Sequence, residues 1–380
     1  MLQELFSNYI GDFSELQIYS KLRVVRRIVF FAVAASIALC TFIAIFHLRD
    51  THALEAVSDV QDENAYSEHT MLMGNTHFDK MSKIIGGSIC LYLNHDCRTS
   101  GVHCKSVTSL DTIQSIKDLQ SSNINLLIVR ATWQKTILNG TDVLSSSGPY
   151  DSLRFVLSLY DEGLAVLVRS DSKVKNFNDL RKQSVSIGEK SSATNNVMNT
   201  LMEIKHWQHS DFNQVLELSP QESMRALCNG DIDAMAVLDA HPSSYLKEVT
   251  RLCEVNMLDI DDKDVAEFIA SNNDYKVVTI KGGTYLGIPL DVKTMGVKAT
   301  LVTTSDTAEA SIYHLTKTLL SRLDKFKTLH ESLSNLSIDS MINEGRVAPM
   351  HPGVTKYLEE IKYDLSKLTT SSVIPPISPK

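Results

Sequence analysis

An uncharged apolar run near the start of the chain sets the first constraint on what this sequence can fold into. Residues 28–46 contain no charged side chain over about 19 positions. At about 1.5 Å per residue, a helix of that length crosses a hydrocarbon core of about 30 Å. Lys21, Arg23, Arg26 and Arg27 precede the run, and their positive charge favours a cytoplasmic N-terminus. The sequence therefore predicts one transmembrane signal-anchor at residues 28–46, with everything after it exported.

A cleaved signal peptide is the alternative for this segment. Its apolar run is longer than the usual 7 to 15 residues, and no clear small-x-small cleavage site follows it. Cys40 lies within the run, but the bulky Leu39 before it disfavours lipid attachment. We therefore favour an uncleaved anchor.

The sequence around this segment divides into four further parts. Residues 1–27 read as a cytoplasmic leader, and residues 47–69 are acidic and aperiodic, as in a flexible linker. Residues 369–380 carry three prolines and several serines without an apolar period, which predicts a disordered tail. The globular part is therefore expected at residues 70–368.

The composition indicates a packed protein and disfavours one class of partner. Of the 380 residues, 43% are hydrophobic and 22% are charged, which suits a globular domain. The net charge is −8, and lysine and arginine form no long stripe. A surface for the nucleic-acid backbone needs such a stripe, so we expect no nucleic-acid partner.

Short apolar runs alternate with helical patterns along the globular part, which is typical of α/β architecture. Residues 310–326 place apolar side chains on one face of a helix, and Ala193 to Trp207 does the same. The predicted buried strands are 124–129, 164–168, 233–238 and 299–303.

The sequence lacks the motifs that would indicate an enzyme. It contains no GxSxG elbow, HExxH helix, GxxxxGK[ST] loop or GxGxxG turn. His95 and His103 flank Cys97, which makes a metal cluster conceivable, but the spacing matches no standard zinc pattern. We expect no catalytic activity, metal or cofactor.

The predicted topology indicates which cysteines can form disulfide bonds. Five of the six, Cys90, Cys97, Cys104, Cys228 and Cys253, fall in the exported part, where disulfides persist. An odd number leaves one cysteine over, and the spacing alone does not show which.

Four long stretches carry the most distinctive sequence, at residues 152–194, 225–244, 278–306 and 347–360. These stretches resemble, in family order, the TAXI family of TRAP-transporter solute-binding proteins. The resemblance covers nearly all of residues 70–362. It implies a type II periplasmic-binding fold, with two α/β lobes joined by a hinge. The family's ligands include glutamate, glutamine, 2-oxoglutarate and similar small acids.

The same resemblance implies lobes that are discontinuous in sequence. We expect lobe I at residues 70–165 and 300–368, and lobe II at residues 170–298. The crossings should lie near Leu164 to Arg169 and near Ala299 to Thr303.

It also implies a disulfide pairing. Cys90 should pair with Cys104, and Cys228 with Cys253, leaving Cys97 without a partner.

The ligand loops depart from the family pattern. Glycine-rich loops of the family correspond here to residues 74–85, 108–111 and 190–193. Glycine allows left-handed backbone and close approach of a ligand, so its loss should reshape the pocket. Hydroxyl groups remain at Thr108 and Ser109, which we expect to contact the ligand.

Four other residues complete the predicted ligand site. Ser191 and Ser192 precede a predicted helix whose N-terminus could hold a carboxylate, although a plain N-cap is compatible with the same residues. Arg130 ends a buried strand and offers bidentate carboxylate recognition if it faces the cleft, a surface arginine being the alternative. The ring of Tyr285 would form part of the wall of the cleft.

The resemblance implies a periplasmic receptor, and the apolar run at residues 28–46 predicts that it is held to the inner membrane. It would bind a small carboxylate and hand it to the membrane subunits of a TRAP permease, working by hinge closure. The alternative is a divergent membrane-anchored member that has lost solute binding and acts as an interaction or antigenic surface protein. The missing glycines in the ligand loops are the evidence for that alternative.

Overall fold

The computed structural model describes residues 70–76, 80–109 and 111–368, which belong to one compact unit. The predicted leader, the anchor at residues 28–46, the linker and the tail at residues 369–380 lie outside the described residues. Within the described part of the chain, no helix is long and apolar enough to span a membrane.

Ten strands and eleven α-helices are described, and we number them in chain order. The strands are β1 Thr70–Thr76, β2 His103–Ser109, β3 Leu126–Arg130, β4 Leu153–Arg169, β5 Ser184–Ser186, β6 Gln214–Leu216, β7 Ala234–Ala240, β8 Val255–Met257, β9 Tyr275–Ile280 and β10 Val292–Thr304. The helices are α1 Lys80–Ser100, α2 Thr112–Gln120, α3 Ala131–Asn139, α4 Ala193–Ile204, α5 Pro220–Asn229, α6 Ser244–Leu252, α7 Lys263–Ser271, α8 Glu309–Leu320, α9 Leu323–Lys327, α10 Ile338–Asn343 and α11 Pro352–Glu360.

The described strands form one continuous sheet. Its order is β2-β1-β3-β10-β4-β7-β5-β6, with β8 paired to β4 and β9 paired to β10. Strands β1, β2 and β3 run parallel to one another, and β10 runs antiparallel to both β3 and β4. At the other end, β7 is antiparallel to β4 and parallel to β5.

Two long strands run through several of the hydrophobic cores. Strand β4 has 17 residues and β10 has 13, far more than the usual five or six of a strand in a globular protein. Almost every residue of β4 is buried, which explains its nearly continuous apolar sequence. The two halves of each strand pack into different cores.

The described part of the chain has four hydrophobic cores, and we call the region around the first two described here lobe I and the region around the other two lobe II. The largest core joins apolar side chains from β1, β2 and α1 with others from α8, α10 and α11, so lobe I is built from both ends of the described chain. A further lobe I core lies around α2, α3 and β3. The lobe II cores contain α4 to α7 with β5, β7 and the lobe II halves of β4 and β10. The described strands and helices form an α/β fold around one mixed sheet, so the expected α/β architecture is confirmed.

The helix predicted over residues 310–326 is interrupted in the structure. It ends at Leu320 and resumes at Leu323. Between these helices, Arg322 leaves helical geometry and makes a two-pronged ion pair with Asp96 of α1. Hydrogen bonding to Arg322 lowers the pKa of Asp96 to about 2. The break therefore ties the C-terminal helices to α1.

Two disulfide bonds are present, Cys90–Cys104 and Cys228–Cys253. The first joins α1 to β2, and the second joins α5 to the residue that follows α6. They are the two pairs that the family resemblance implies, and Cys97 on α1 is free. Such bonds persist in an oxidising compartment.

Loss of the second disulfide should weaken lobe II. The two cysteines are 25 residues apart in sequence, so replacing Cys228 and Cys253 with serine should lower the free energy of unfolding by about 3 kcal/mol, because the unfolded chain regains loop entropy. Urea unfolding followed by tryptophan fluorescence measures this loss. Cys97→Ser is the control and should change stability by less than about 0.5 kcal/mol. Equal stability of the disulfide variant and the parent protein would contradict the prediction.

Candidate functional site between the lobes

The carboxyl ends of strands from both lobes point toward the crossing. In lobe I, the parallel strands β1, β2 and β3 all end on the side where β10 and β4 pass to the other lobe. In lobe II, β7 ends at Ala240, which pairs with Glu162 of β4, and β5 runs parallel to β7. Ligands of open α/β sheets bind outside the carboxyl ends of such strands. The crossing is therefore where a ligand site is expected.

Arg130 and Glu162 form an ion pair at this crossing. Arg130 ends β3 and is the N-cap residue of α3. Its Nη2 donates to Glu162 Oε1 at 3.0 Å, and its Nε donates to the second carboxylate oxygen. The Arg130 side chain is 20% exposed and that of Glu162 only 4%. The guanidinium thus holds a buried carboxylate in the bidentate geometry that arginine favours.

A small pocket surrounds this pair. Its volume is about 10 Å³, close to the minimum for one water molecule. The residues that line it are Thr112, Ile128, Val129, Arg130, Trp133, Glu162 and Ala299. Because the space is so small, the observed arrangement of the side chains leaves no room here for a ligand of the size of glutamate.

Glu162 therefore occupies the place that a ligand carboxylate would take on Arg130. A ligand acid can bind this guanidinium only if Glu162 moves or shares it. Removing both charges from water carries a desolvation cost, which their mutual attraction and hydrogen bonds offset. The arrangement can recognise a carboxylate, and in this conformation the carboxylate comes from the protein itself.

Thr108 and Ser109 lie at the end of β2, on the same edge of the sheet as Arg130. Thr108 is exposed and pairs in register with Asn75 of β1. The Ser109 hydroxyl donates to Asp118 Oδ2 at 3.1 Å. The Asn75 amide donates to Ser106 Oγ at 2.6 Å. Of the two predicted residues, Thr108 offers its hydroxyl to solvent, whereas that of Ser109 already has a partner within lobe I.

Ser191 and Ser192 lie in the loop between β5 and α4 of lobe II. Ser192 is the N-cap of α4, and its Oγ accepts from the Asn195 backbone N–H at 3.1 Å. Ser191 is exposed and has a φ of 62°, in the left-handed region that glycine favours. Ser191 therefore takes up backbone geometry suited to glycine, in one of the loops where the sequence resemblance implies that glycine has been lost.

Tyr285 is buried in lobe II, where its hydroxyl joins a hydrogen-bonded network. It lies 2.6 Å from His241 Nδ1 and accepts from the Ser243 backbone N–H at 2.7 Å. His241 Nε2 lies 3.0 Å from the carbonyl of Gly163 on β4, so the ring donates there and accepts from Tyr285. Burial lowers the pKa of His241 and favours this neutral form. The network fastens the turn after β7 to the crossing strand.

Four charged residues form a second polar group at the crossing, which we call the hinge cluster: Asp161, Lys276, Lys298 and Glu344. Lys276 Nζ lies 2.8 Å from Glu344 Oε2 and 3.0 Å from Asp161 Oδ2. Lys298 Nζ lies 2.9 Å from Asp161 Oδ1 and 3.0 Å from Glu344 Oε2. Burial opposes ionisation of Glu344, but the two lysines hold its pKa below the ordinary value.

The hinge cluster connects the lobes directly. Lys276 lies on β9 of lobe II, whereas Glu344 follows α10 of lobe I. Asp161 and Lys298 lie on the two crossing strands and pair with each other in register. Each lysine therefore contacts both carboxylates, and the ion pairs link β9 to the segment after α10.

Sequence reasoning missed Glu162 and the hinge cluster. A signal was present, because the acidic pair Asp161 and Glu162 lies in the middle of a largely apolar strand of 17 residues. Acidic side chains in such a strand need partners, and their partners are distant in sequence. Among the described residues, no group of histidine, cysteine or acidic side chains could hold a metal ion.

A family model matches most of this chain. It describes the NMT1-like family, and residues 83–361 match it. The chain belongs to the NMT1-like family. The TAXI assignment is a finer statement than this match and stays a proposal.

Solved structures with similar folds include several binding proteins. The periplasmic aliphatic sulphonate binding protein SsuA from Escherichia coli has 15% identity over 77% of this chain and 79% of its own, with a TM-score of 0.44. XAC2383 from Xanthomonas citri, bound to ATP, has 12% identity over 77% and 95%, with a TM-score of 0.46. The substrate binding protein of an amino acid ABC transporter has 15% identity over 68% and 96%, with a TM-score of 0.38.

Proposed function

We propose that this NMT1-like protein is an extracytoplasmic solute-binding receptor of the TAXI type. It binds a small carboxylate between its lobes and delivers it to the membrane subunits of a TRAP-type secondary transporter. In this proposal the main domain lies in the periplasm and residues 28–46 anchor it in the inner membrane. The ordered TAXI-like motifs and the two disulfides support this assignment.

The observation that carries the proposal is the bidentate hold of Arg130 on a carboxylate at the crossing. A ligand acid requires the same donors once it leaves water. We propose that the lobes separate, that the ligand replaces Glu162 on Arg130, and that closure brings in the hydroxyl groups of Thr108, Ser109, Ser191 and Ser192. Tyr285 would then act through its network with the turn after β7.

The lobe boundaries belong to the same proposal. Residues 70–165 with 300–368 move as one body and residues 170–298 as the other. The motion is a hinge at the crossing strands, as in other two-lobed binding proteins.

Ligand titration of the full-length chain in detergent tests this function. Trp133 lines the pocket, whereas Trp207 stacks on Phe177 in lobe II. In a Trp207→Phe background, we expect glutamate, glutamine or 2-oxoglutarate to change the Trp133 emission saturably. An acid at about 1,000 times its dissociation constant should also stabilise the protein by about 4 kcal/mol.

A double variant locates the effect at the ion pair. The double variant Arg130→Gln with Glu162→Gln keeps a neutral hydrogen-bonding pair but removes the guanidinium that would bind the ligand carboxylate. We expect it to abolish both the change in Trp133 emission and the stabilisation by the acid. Arg154→Gln is the matched control, because Arg154 lies on the same crossing strand and donates only to backbone carbonyls of lobe I. An unchanged response in the double variant would refute the role of Arg130.

The second candidate function is that of a membrane-anchored interaction protein that no longer binds a solute. The pocket of about 10 Å³ and the occupation of Arg130 by Glu162 favour it. If the parent protein shows no saturable response to any of the three acids, this second candidate replaces the first.

A further inference from the structure

Arg346 is a buried arginine in the segment between α10 and α11 of lobe I, with only 7% of its surface exposed. The backbone around it is fixed by Gln134 of α3, a fully buried residue. Gln134 Nε2 donates to the Gly345 carbonyl at 3.0 Å, and its Oε1 accepts from the backbone N–H groups of Val347 and Ala348 at 3.1 and 2.9 Å. Arg346 is thus held in place by contacts on both sides.

The guanidinium of Arg346 has no carboxylate partner among the residues that the structure describes. Its Nε is shielded from water and has no acceptor, whereas the two terminal nitrogens retain access to solvent. Burial lowers the pKa of Arg346, with no neighbouring charge contributing. Arginine nevertheless stays protonated in proteins, so the charge is present and uncompensated.

The acidic residue nearest in sequence is already engaged elsewhere. Glu344 forms its ion pairs with Lys276 and Lys298 in the hinge cluster. Arg130, which is also largely buried, forms its ion pair with the carboxylate of Glu162. Unlike Arg130 and Lys298, Arg346 therefore lacks a counter-ion among the residues that the structure describes.

We propose that Arg346 anchors a second ligand site, which takes a small oxyanion from solution. Two oxygens of such an anion match the two terminal nitrogens of a guanidinium, which are the ones that reach solvent, and the pair would compensate the buried charge. Arg346 is not among the residues that line the Arg130 pocket, although the neighbouring Gly345 lies close to Ala131 and Lys298. This second site goes beyond the proposed receptor function and does not depend on it.

Phosphate titration of the full-length chain tests the second site. In phosphate-free buffer, we expect Arg346→Gln to unfold at a higher urea concentration than the parent protein, because it lacks the unpaired charge. Inorganic phosphate at constant ionic strength should raise the unfolding midpoint of the parent saturably. In Arg346→Gln only the small, non-saturating effect that phosphate has on any protein should remain.

Two further variants make the result specific. Arg346→Lys keeps the charge without the planar fork, and should weaken the apparent phosphate affinity by about tenfold or more. Arg154→Gln and the Arg130→Gln/Glu162→Gln protein should both keep the parent's phosphate response, which separates this test from that of the receptor function. The inference is overturned if Arg346→Gln responds to phosphate as the parent does, or if it is the less stable protein without phosphate.

Discussion

Replacing Glu162 with alanine should lower the free energy of unfolding by about 3 to 5 kcal/mol, which is far more than a surface substitution costs. The variant removes the carboxylate that holds Arg130 through two hydrogen bonds and leaves the guanidinium at a mostly buried position. Urea unfolding followed by tryptophan fluorescence measures the loss. We expect so large a loss of unfolding free energy because the Glu162 side chain is buried, with only 4% of it exposed.

A double-mutant cycle distinguishes pairing from simple loss of packing. Arg130→Met combined with Glu162→Met replaces both charges with apolar side chains and should recover most of the stability. If the double variant is as unstable as Glu162→Ala, packing rather than charge explains the effect. A Glu162→Ala protein as stable as the parent would show that Arg130 does not depend on this carboxylate.

Removing both carboxylates of the hinge cluster should have a comparable effect and should also separate the lobes. The combined Asp161→Asn and Glu344→Gln variant leaves Lys298, whose side chain is 5% exposed, without either of these counter-ions. An unpaired buried ammonium costs about 3 to 5 kcal/mol, and the open arrangement relieves it by admitting water. We therefore expect lower stability together with a larger radius of gyration in small-angle X-ray scattering.

The single variants and one exposed pair serve as controls for the hinge cluster. Each lysine contacts both carboxylates, so Asp161→Asn or Glu344→Gln alone should cost clearly less than the combination. Asp291→Asn breaks an exposed ion pair with Lys281 and should cost less than about 1 kcal/mol. An unchanged radius of gyration in the double variant would contradict a role of the cluster in holding the lobes together.

The α/β architecture could be predicted from the sequence because its signals are local. The apolar segments at residues 164–168 and 299–303 predict buried strands, and they lie within β4 and β10. The length of those strands was harder to predict. Asp161 and Glu162 resemble the end of a strand, and only their pairing with residues of other segments lets the strand continue through them.

The contacts at the site could not be predicted because they join residues that are distant in sequence. The sequence indicates Arg130 as a candidate for carboxylate recognition or a surface arginine, but it does not indicate the observed partner Glu162, which is 32 residues away on another strand. The helix break at Arg322 depends in the same way on Asp96, 226 residues earlier. Periodicity and propensity describe a segment alone, so they identify the groups that need a partner without identifying the partner.

The construction of lobe I from both ends of the described chain has a consequence for biogenesis. Its largest core contains Met73 and Ile89 together with Val354 and Leu358. During synthesis, the early segment therefore emerges long before the helices that cover it, while the residues of lobe II follow one another without such a gap. We expect lobe II to become compact first, and the early strands to need protection from aggregation until the last helix has been delivered.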